Sequence, residues 1–319
     1  MSSESLDQES SIDQEDVLSQ VLMLIKLEGE KIWSDELSAP WSIRFEAGFA
    51  HFHLIVEGDV EVRIKGHAPT TACIGDLLLL PRGEGHEIAD REGGALSLRD
   101  AHPNGQAQSG ASLIPPGDRP MARLISGSFR FLGVAWPSLL GAMPGILRIS
   151  KNEGGNAQWV EPLIHFALAE ARLPSPGSRL MISRLIDLLV VRTLRSWAAG
   201  GGASGWLGGI GDRHIERVLA ALHGDPWHDW TIRELADIAV MSRSAFAERF
   251  ARRIGQPPLR YLKQWRLAVA AGLLREGTMK VGEVGRRVGY QSDAAFSRAF
   301  KAAFGYPPTT ATPPRRPPS

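Results

Sequence analysis

The chain has 319 residues, 43% of them hydrophobic, and a net charge of +1, which is enough apolar content for two or three packed domains. Its single cysteine, Cys73, excludes an internal disulfide, as suits a reducing compartment. No apolar run approaches the ~18 residues of a membrane span, and the acidic start MSSESLDQESSIDQEDVLSQ lacks the basic and apolar regions of a signal peptide. A cytoplasmic protein with no membrane partner is expected.

In chain order, residues 1–18 read as a disordered acidic tail, with helical spacing beginning in DVLSQVLMLIKL, Asp16 to Leu27. A separate domain is expected over 19–155. Within it, HFHLIVEGDVEVRIKG, TACIGDLLLLPRG and GSFRFLGVAW are short alternating or β-rich runs broken by Gly, Pro and Asp, the pattern of an antiparallel β domain. AHPNGQAQSGAS, 101–112, reads as a long polar loop. Residues 156–199 hold two helical segments, QWVEPLIHFALAEAR and SRLMISRLIDLLVVRTLRSWAA. The second is apolar around much of its circumference and needs more than one partner surface, so a connector or dimer contact is expected. GGGASGWLGGIG, 200–211, reads as a Gly-rich linker.

Residues 212–310 carry the informative repeat. SRSAFAERFARRIGQPP at 242–258 and SDAAFSRAFKAAFGYPP at 292–308 follow one template at a constant offset of fifty residues. In the first copy Thr231 and Glu234 make a capping-box start, and Leu235, Ala236 and Ala239 form an apolar stripe. Ser242 caps the next helix. Phe246 and Phe250 then share its buried face, leaving Ser244, Glu248 and Arg252 opposite. In the second copy Val284, Gly285 and Val288 stripe the short helix. Ser292 caps the next one, Phe296 and Phe300 point inward, and Ala294, Arg298 and Lys301 point outward. A helix starting at Pro258 and ending at Gly277 joins the copies. Its ~17 residues span about 25 Å, compatible with two reading helices in adjacent major grooves about 34 Å apart. The tail 311–319 is Pro-rich and cannot continue a helix.

Charge agrees with this reading. From Asp212 onward there are 18 Lys and Arg against 10 Asp and Glu, whereas residues 1–211 carry 18 against 25. A basic half of this kind suits a polyanion. A plain duplicated helical bundle is the alternative, and the doubled template with its joining helix argues against it.

Residues 212–308 resemble the DNA-binding domain of AraC/XylS-type transcriptional regulators, on LADIAVMSRSAFAERFARRIGQPPLRYLKQWRLAVAAGLLREG and VGEVGRRVGYQSDAAFSRAFKAAFGYPP. Val240 stands where that family commonly has Gly, and Gly285 where it usually has Ala. The resemblance and the face argument together imply that Ser244, Glu248 and Arg298 approach bases. Arg243, Arg252, Arg266 and Lys301 are then phosphate contacts, which position without specifying, and Ser242 and Ser292 stand at the heads of the reading helices.

GDLLLLPRGEGH, Gly75 to His86, has the spacing of a second cupin motif, and with APWSIRF and GSFRF the segment resembles the cupin-type sensor domain that precedes some AraC-type domains. The fold expected is α+β and multidomain: a cupin-like β-barrel, a helical connector pair and an all-α domain with two helix-turn-helix motifs. Trp41, Arg44, His51, His53 and His86 are candidates to line an effector pocket. His51, His53 and His86 are also conceivable metal ligands, but His51-Phe52-His53 is displaced from the cupin metal positions, so no cofactor is expected. No catalytic triad order, P-loop or dinucleotide fingerprint is present.

The reading is a non-enzymatic regulator that binds promoter DNA, responds to a small-molecule effector and acts as a homodimer, with RNA polymerase as a possible further partner. A metal-dependent cupin enzyme fused to DNA-binding helices is the alternative from another class. A DNA-binding module whose barrel only dimerises is a third.

Overall fold

A computed structural model describes residues 16–39, 41–90, 98–101, 121–131, 143–150, 157–199 and 205–311. Residues 1–15 of the expected acidic tail, the polar loop from 102 and the chain end after 311 lie outside the described residues, while Val17 and Leu18, expected in that tail, are helical. The described chain forms two compact units, one of residues 27–131 and 143–199, the other of residues 16–26 and 205–311.

The first unit holds ten strands: β1 (Leu27–Ser38), β2 (Ser42–Phe45), β3 (Ala50–Glu57), β4 (Val60–Ile64), β5 (Thr70–Ala72), β6 (Leu77–Leu80), β7 (His86–Asp90), β8 (Leu98–Ala101), β9 (Met121–Phe131) and β10 (Leu147–Ile149). They make two five-stranded sheets, ordered β1-β9-β3-β6-β10 and β5-β4-β7-β2-β8. Leu37, Ile55, Leu78, Leu80 and Leu124 from the first sheet share one core with Ile43, Phe45, Val60, Val62 and Ile88 from the second. The expected barrel therefore takes the form of two sheets over a common core, with no closed ring among the described strands. Leu77 to Leu80 are all buried, so β6 is covered on both faces, as its unbroken apolar run requires. The motif glycines Gly75 and Gly83 sit at φ 87° and 66°, values that an L side chain resists.

Two helices follow in the same unit, α2 (Ala157–Arg172) and α3 (Ser178–Ala199). Helix α3 packs on β1 at Gly29. A Cβ there would lie 2.5 Å from Ile186 Cβ, and the Gly29 amide donates to Asp187 Oδ1 at 3.0 Å.

The second unit is helical: α1 (Val17–Ile25), α4 (Gly205–Ile210), α5 (Arg213–Gly224), α6 (Ile232–Ile238), α7 (Arg243–Ile254), α8 (Pro258–Glu276), α9 (Val281–Arg287) and α10 (Asp293–Phe304), then a 3-10 turn, Pro308–Ala311. Two boundaries differ from the sequence reading. Helix α1, expected with the β domain, packs on α5, α8 and α4. Its buried Val17, Leu18 and Val21 need an apolar surface, and these helices supply it. The expected Gly-rich linker ends early, because residues 205–210 are helical. Leu207 is fully buried, and Gly209 leaves room for Leu219 and Ile254, whose methyls stand 2.7 and 2.8 Å from where a Cβ would sit.

Candidate functional site

The two repeats build two near-copies of one motif. In the first, α6 opens on the capping box of Thr231 and Glu234. The Val240 amide donates to Asp237 O and the Met241 amide to Ala236 O, both at 3.0 Å. In the second, Gly289 donates to Arg286 O and Tyr290 to Gly285 O, again at 3.0 Å. The turn residue is left-handed in both copies, Val240 at φ 54° and Gly289 at φ 87°. The turns therefore correspond at an offset of forty-nine, and Gln291 is the extra residue of the second copy.

Both reading helices start on a serine cap. Ser242 Oγ accepts from the Ala245 amide at 3.3 Å, and Ser292 Oγ from the Ala295 amide at 3.2 Å. Phe246, Phe250, Phe296 and Phe300 are wholly buried. The opposite faces lie open: Arg243, Ser244, Glu248 and Arg252 on α7, and Ala294, Arg298 and Lys301 on α10 are exposed. Arg252 Nη1 stands 3.7 Å from Glu248 Oε1 one turn earlier. Arg298 and Lys301 have no ion pair among the described residues.

Arg266 departs from its expected role as a phosphate contact. Its Nε donates to Pro226 O at 2.5 Å and its Nη2 to His228 O at 2.9 Å. Most of its guanidinium thus pins the α5–α6 connection to the joining helix α8.

Two further features of this unit were missed from sequence. Asp212 caps α5 by accepting from the His214 amide at 3.2 Å, and it holds Arg249 through Nε at 2.8 Å and Nη2 at 3.1 Å. Burial would raise the Asp212 pKa, but the hydrogen bonds and charge of Arg249 outweigh it and hold the carboxyl below its ordinary value. His223 stacks on Trp265 at 3.7 Å and bonds Tyr261 Oη at 2.7 Å. Its pKa is pushed down to about 3 by burial. Asp212 could have been found as an acidic cap before an apolar-periodic run, whereas the His223 stack joins residues about forty positions apart and leaves no local signal.

The histidines of the sheet unit do converge. His51 and His53 alternate to one face of β3, and His86 opens β7 in the other sheet. His53 Nε2 and His86 Nε2 lie 3.0 Å apart, and His53 Nδ1 lies 2.8 Å from Ser126 Oγ. One set of tautomers satisfies the chain. His86 Nδ1–H faces Glu84 O at 3.4 Å, its Nε2 accepts from His53 Nε2–H, and His53 Nδ1 accepts from the Ser126 hydroxyl. Phe45 stacks on His86 at 4.6 Å with rings nearly parallel. Burial pushes His51 down to about 4 and His86 to about 3, and it lowers His53 well below its ordinary value, so all three are neutral at pH 7. His51 Nδ1 is buried without a full hydrogen bond, and the Phe49 backbone only partly offsets the effect of burial on that ring.

This arrangement does not suit the metal reading. The facing nitrogens of His53 and His86 are spent on each other, and among the described residues no group of three His, Cys, Asp or Glu side chains could hold a metal ion. Two pocket candidates also move. Trp41 is 5% exposed and belongs to the apolar core, and Arg44 points to solvent from the outer face of β2. His51, His53 and His86 remain together.

Comparison with known proteins agrees with both halves. The cupin family model matches residues 16–199, and a helix-turn-helix domain model matches 235–312. A putative AraC-like transcription regulator of Streptomyces lividans is 32% identical over 92% of this chain and 96% of its own length. One of Streptomyces antibioticus is 32% identical over 92% and 97%. The HTH-type transcriptional regulator AlkR of Acinetobacter baylyi is 28% identical over the same shares. With a cupin domain, a doubled helix-turn-helix and relatives that match nearly end to end, this chain belongs to the AraC-like family of transcription regulators.

Proposed function

We propose that this regulator is effector-responsive: its sheet domain takes up a small polar or aromatic molecule beside His51, His53 and His86, and its helical unit reads a promoter. The observation that supports the effector reading is the convergence of His51, His53 and His86 from the two sheets, with His51 Nδ1 making no full hydrogen bond and only the Phe49 backbone as a weak partner for its ring. A buried polar atom left wholly unpaired costs about 1–3 kcal/mol, and a ligand hydroxyl, amide or carboxylic acid supplies a full partner. The relatives that match nearly end to end are described as transcription regulators, which supports a sensor over an enzyme.

On the DNA side, Ser244, Glu248 and Arg298 approach base edges, while Arg243, Arg252 and Lys301 meet phosphates. A carboxylate at Glu248 suits cytosine N4. Leu180, Leu188 and Phe166, each more than half exposed on α2 and α3, support a homodimer through that helical pair. No helix of the described residues is long and apolar enough to cross a membrane. The kinship with AraC-like regulators supports promoter DNA as a partner, and the reading includes a cytoplasmic location and RNA polymerase as a further partner.

The test is operator binding, with fragments from the protein's own gene neighbourhood, at two salt concentrations and with a metabolite panel added. Selective binding that weakens steeply with salt and shifts with one metabolite is expected. Arg298→Glu should abolish binding with the fold intact, and His51→Phe should remove the metabolite response alone. A His51→Phe protein that still responds refutes the sensor site, and an Arg298→Glu protein that binds like wild type refutes the reading face.

A further inference from the structure

The two reading helices are held on their flanks by different means. Arg249 of α7 donates from Nε to Asp212 Oδ2 at 2.8 Å and from Nη2 to Asp212 Oδ1 at 3.1 Å. One turn on, Arg253 Nε stands 3.3 Å from the same Oδ2. Asp212 is buried and is itself fixed. Its carboxylate caps α5 through the His214 amide, and its own amide donates to Gly209 O in α4 at 3.1 Å. Fifty residues on, Ala299 and Ala303 stand where α7 has Arg249 and Arg253, and both pack on the apolar core of the second helix-turn-helix. Both helices bury two phenylalanines. On the flank, however, α10 is seated by apolar contact and α7 by one carboxylate from outside its own helix-turn-helix.

The clamped arginines are the chain neighbours of exposed residues on the reading face. Glu248 precedes Arg249, and Arg252 precedes Arg253. Successive residues lie about 100° apart around a helix, so the clamp grips the flank of the same two turns that present Glu248 and Arg252. A helix with its side chains is about 10–12 Å across, so a rotation of about 10° about its axis carries a side-chain tip about 1 Å. A hydrogen bond tolerates only a few tenths of an ångström around ~2.9 Å. Rotation of that size costs a base contact, and costs little of a phosphate contact, whose charge attraction reaches further.

We propose that Asp212 is a positioning residue for operator recognition. Through Arg249 and Arg253 it sets the rotation of the first reading helix, and so decides whether Glu248 meets its base. The second reading helix, seated on alanines, does not depend on it. This rests on the reading of Glu248 and Arg298 as base contacts, and the variants below separate the two.

The test is anisotropy titration of the full chain on a fragment that the wild type selects from randomised DNA and on a fragment of unrelated sequence, with affinities taken per active chain. Asp212→Asn keeps the cap of α5, since Asn caps as well as Asp, but removes the charge. Arg249→Lys keeps the charge but loses the fork that spans both carboxylate oxygens. Each should weaken the selected fragment by about fivefold or more, the lower end of what one good base contact is worth. Affinity for unrelated DNA and its salt dependence should stay unchanged, because the phosphate contacts are intact. On a Glu248→Ala background Asp212→Asn should add nothing further, whereas on Arg298→Ala its loss should multiply in full. A purely structural role would lower the melting temperature and change both affinities alike or not at all, and either result overturns the proposal. A full further loss on Glu248→Ala overturns it too. If Glu248→Ala and Arg298→Ala both bind the selected fragment like wild type, the base-reading assignment itself falls and takes this proposal with it.

Discussion

Val240→Gly is predicted to stabilise the helical unit. Val240 occupies the left-handed turn of the first helix-turn-helix at φ 54°, where Gly289 serves the second at φ 87°. An L residue there costs roughly 1–2 kcal/mol, and a β-branched one is the least suited. The side chain is 72% exposed, so glycine forfeits little burial. Against the relief stands the larger unfolded-state freedom of glycine, about 0.4–1 kcal/mol. The balance is about 0.5–1 kcal/mol of added stability. For a unit of about a hundred residues that raises the melting temperature by roughly 3–6 °C. Scanning calorimetry of the full chain would read it, with operator binding as a check that the turn is preserved. The reverse change, Gly289→Val, should cost about 1–2 kcal/mol and also crowd Arg266. A lower melting temperature for Val240→Gly, or an unchanged one for Gly289→Val, would refute the turn equivalence.

Arg249→Ala leaves the buried Asp212 carboxylate without its bidentate partner and should destabilise the helical unit by about 2 kcal/mol, measured by urea midpoint. Because the folded pKa of Asp212 lies below the unfolded value of 3.8, its contribution is present above pH 4 and lost as pH falls further. Below pH 6.5 the sheet unit should weaken more steeply than the helical unit, whose buried His223 alone acts in the same way. The sheet unit's three buried histidines have folded pKa values below 6.5, so below pH 6.5 the unfolded chain binds protons that the folded chain refuses, and stability falls towards pH 4. Each contributes up to about 1.4 kcal/mol per pH unit, and His53→Phe should flatten that slope in pH-dependent denaturation. On the proposed dimer contact, Leu180→Asp with Leu188→Asp should give a monomer in sedimentation where the wild type is a dimer, while leaving the melting temperature within a few degrees, since both side chains are more than half exposed; a wild-type monomer would refute the contact.

The DNA-reading half was the more legible part of the chain. Its signals are local: serine caps, phenylalanines four apart, a glycine after each helix, all repeated at one spacing. Local geometry settles such features within a turn or two of chain. The pocket candidates were less legible. The alternation of His51 and His53 placed both on one face, but nothing local shows that His86 meets them from the other sheet. Trp41 and Arg44 were chosen by residue type, and their orientation depends on the pairing of β2 with β7. Arg266 was read as a surface cation because helical spacing cannot show which carbonyls a guanidinium reaches forty residues away.

The sequence by itself determined the doubled reading unit, the basic half that faces DNA, and the glycine–proline turn that delivers His86 to a strand, because these depend on spacing, capping and backbone conformation along a few consecutive residues. Only the tertiary structure decided which side chains are already spent: Arg266 on carbonyls, His53 on His86 and Ser126, Asp212 on Arg249. It also decided that α1 and residues 205–210 complete the helical unit. These outcomes rest on hydrogen bonds and apolar contacts between segments far apart in the chain, and a polar or apolar group takes the partner that packing brings within reach.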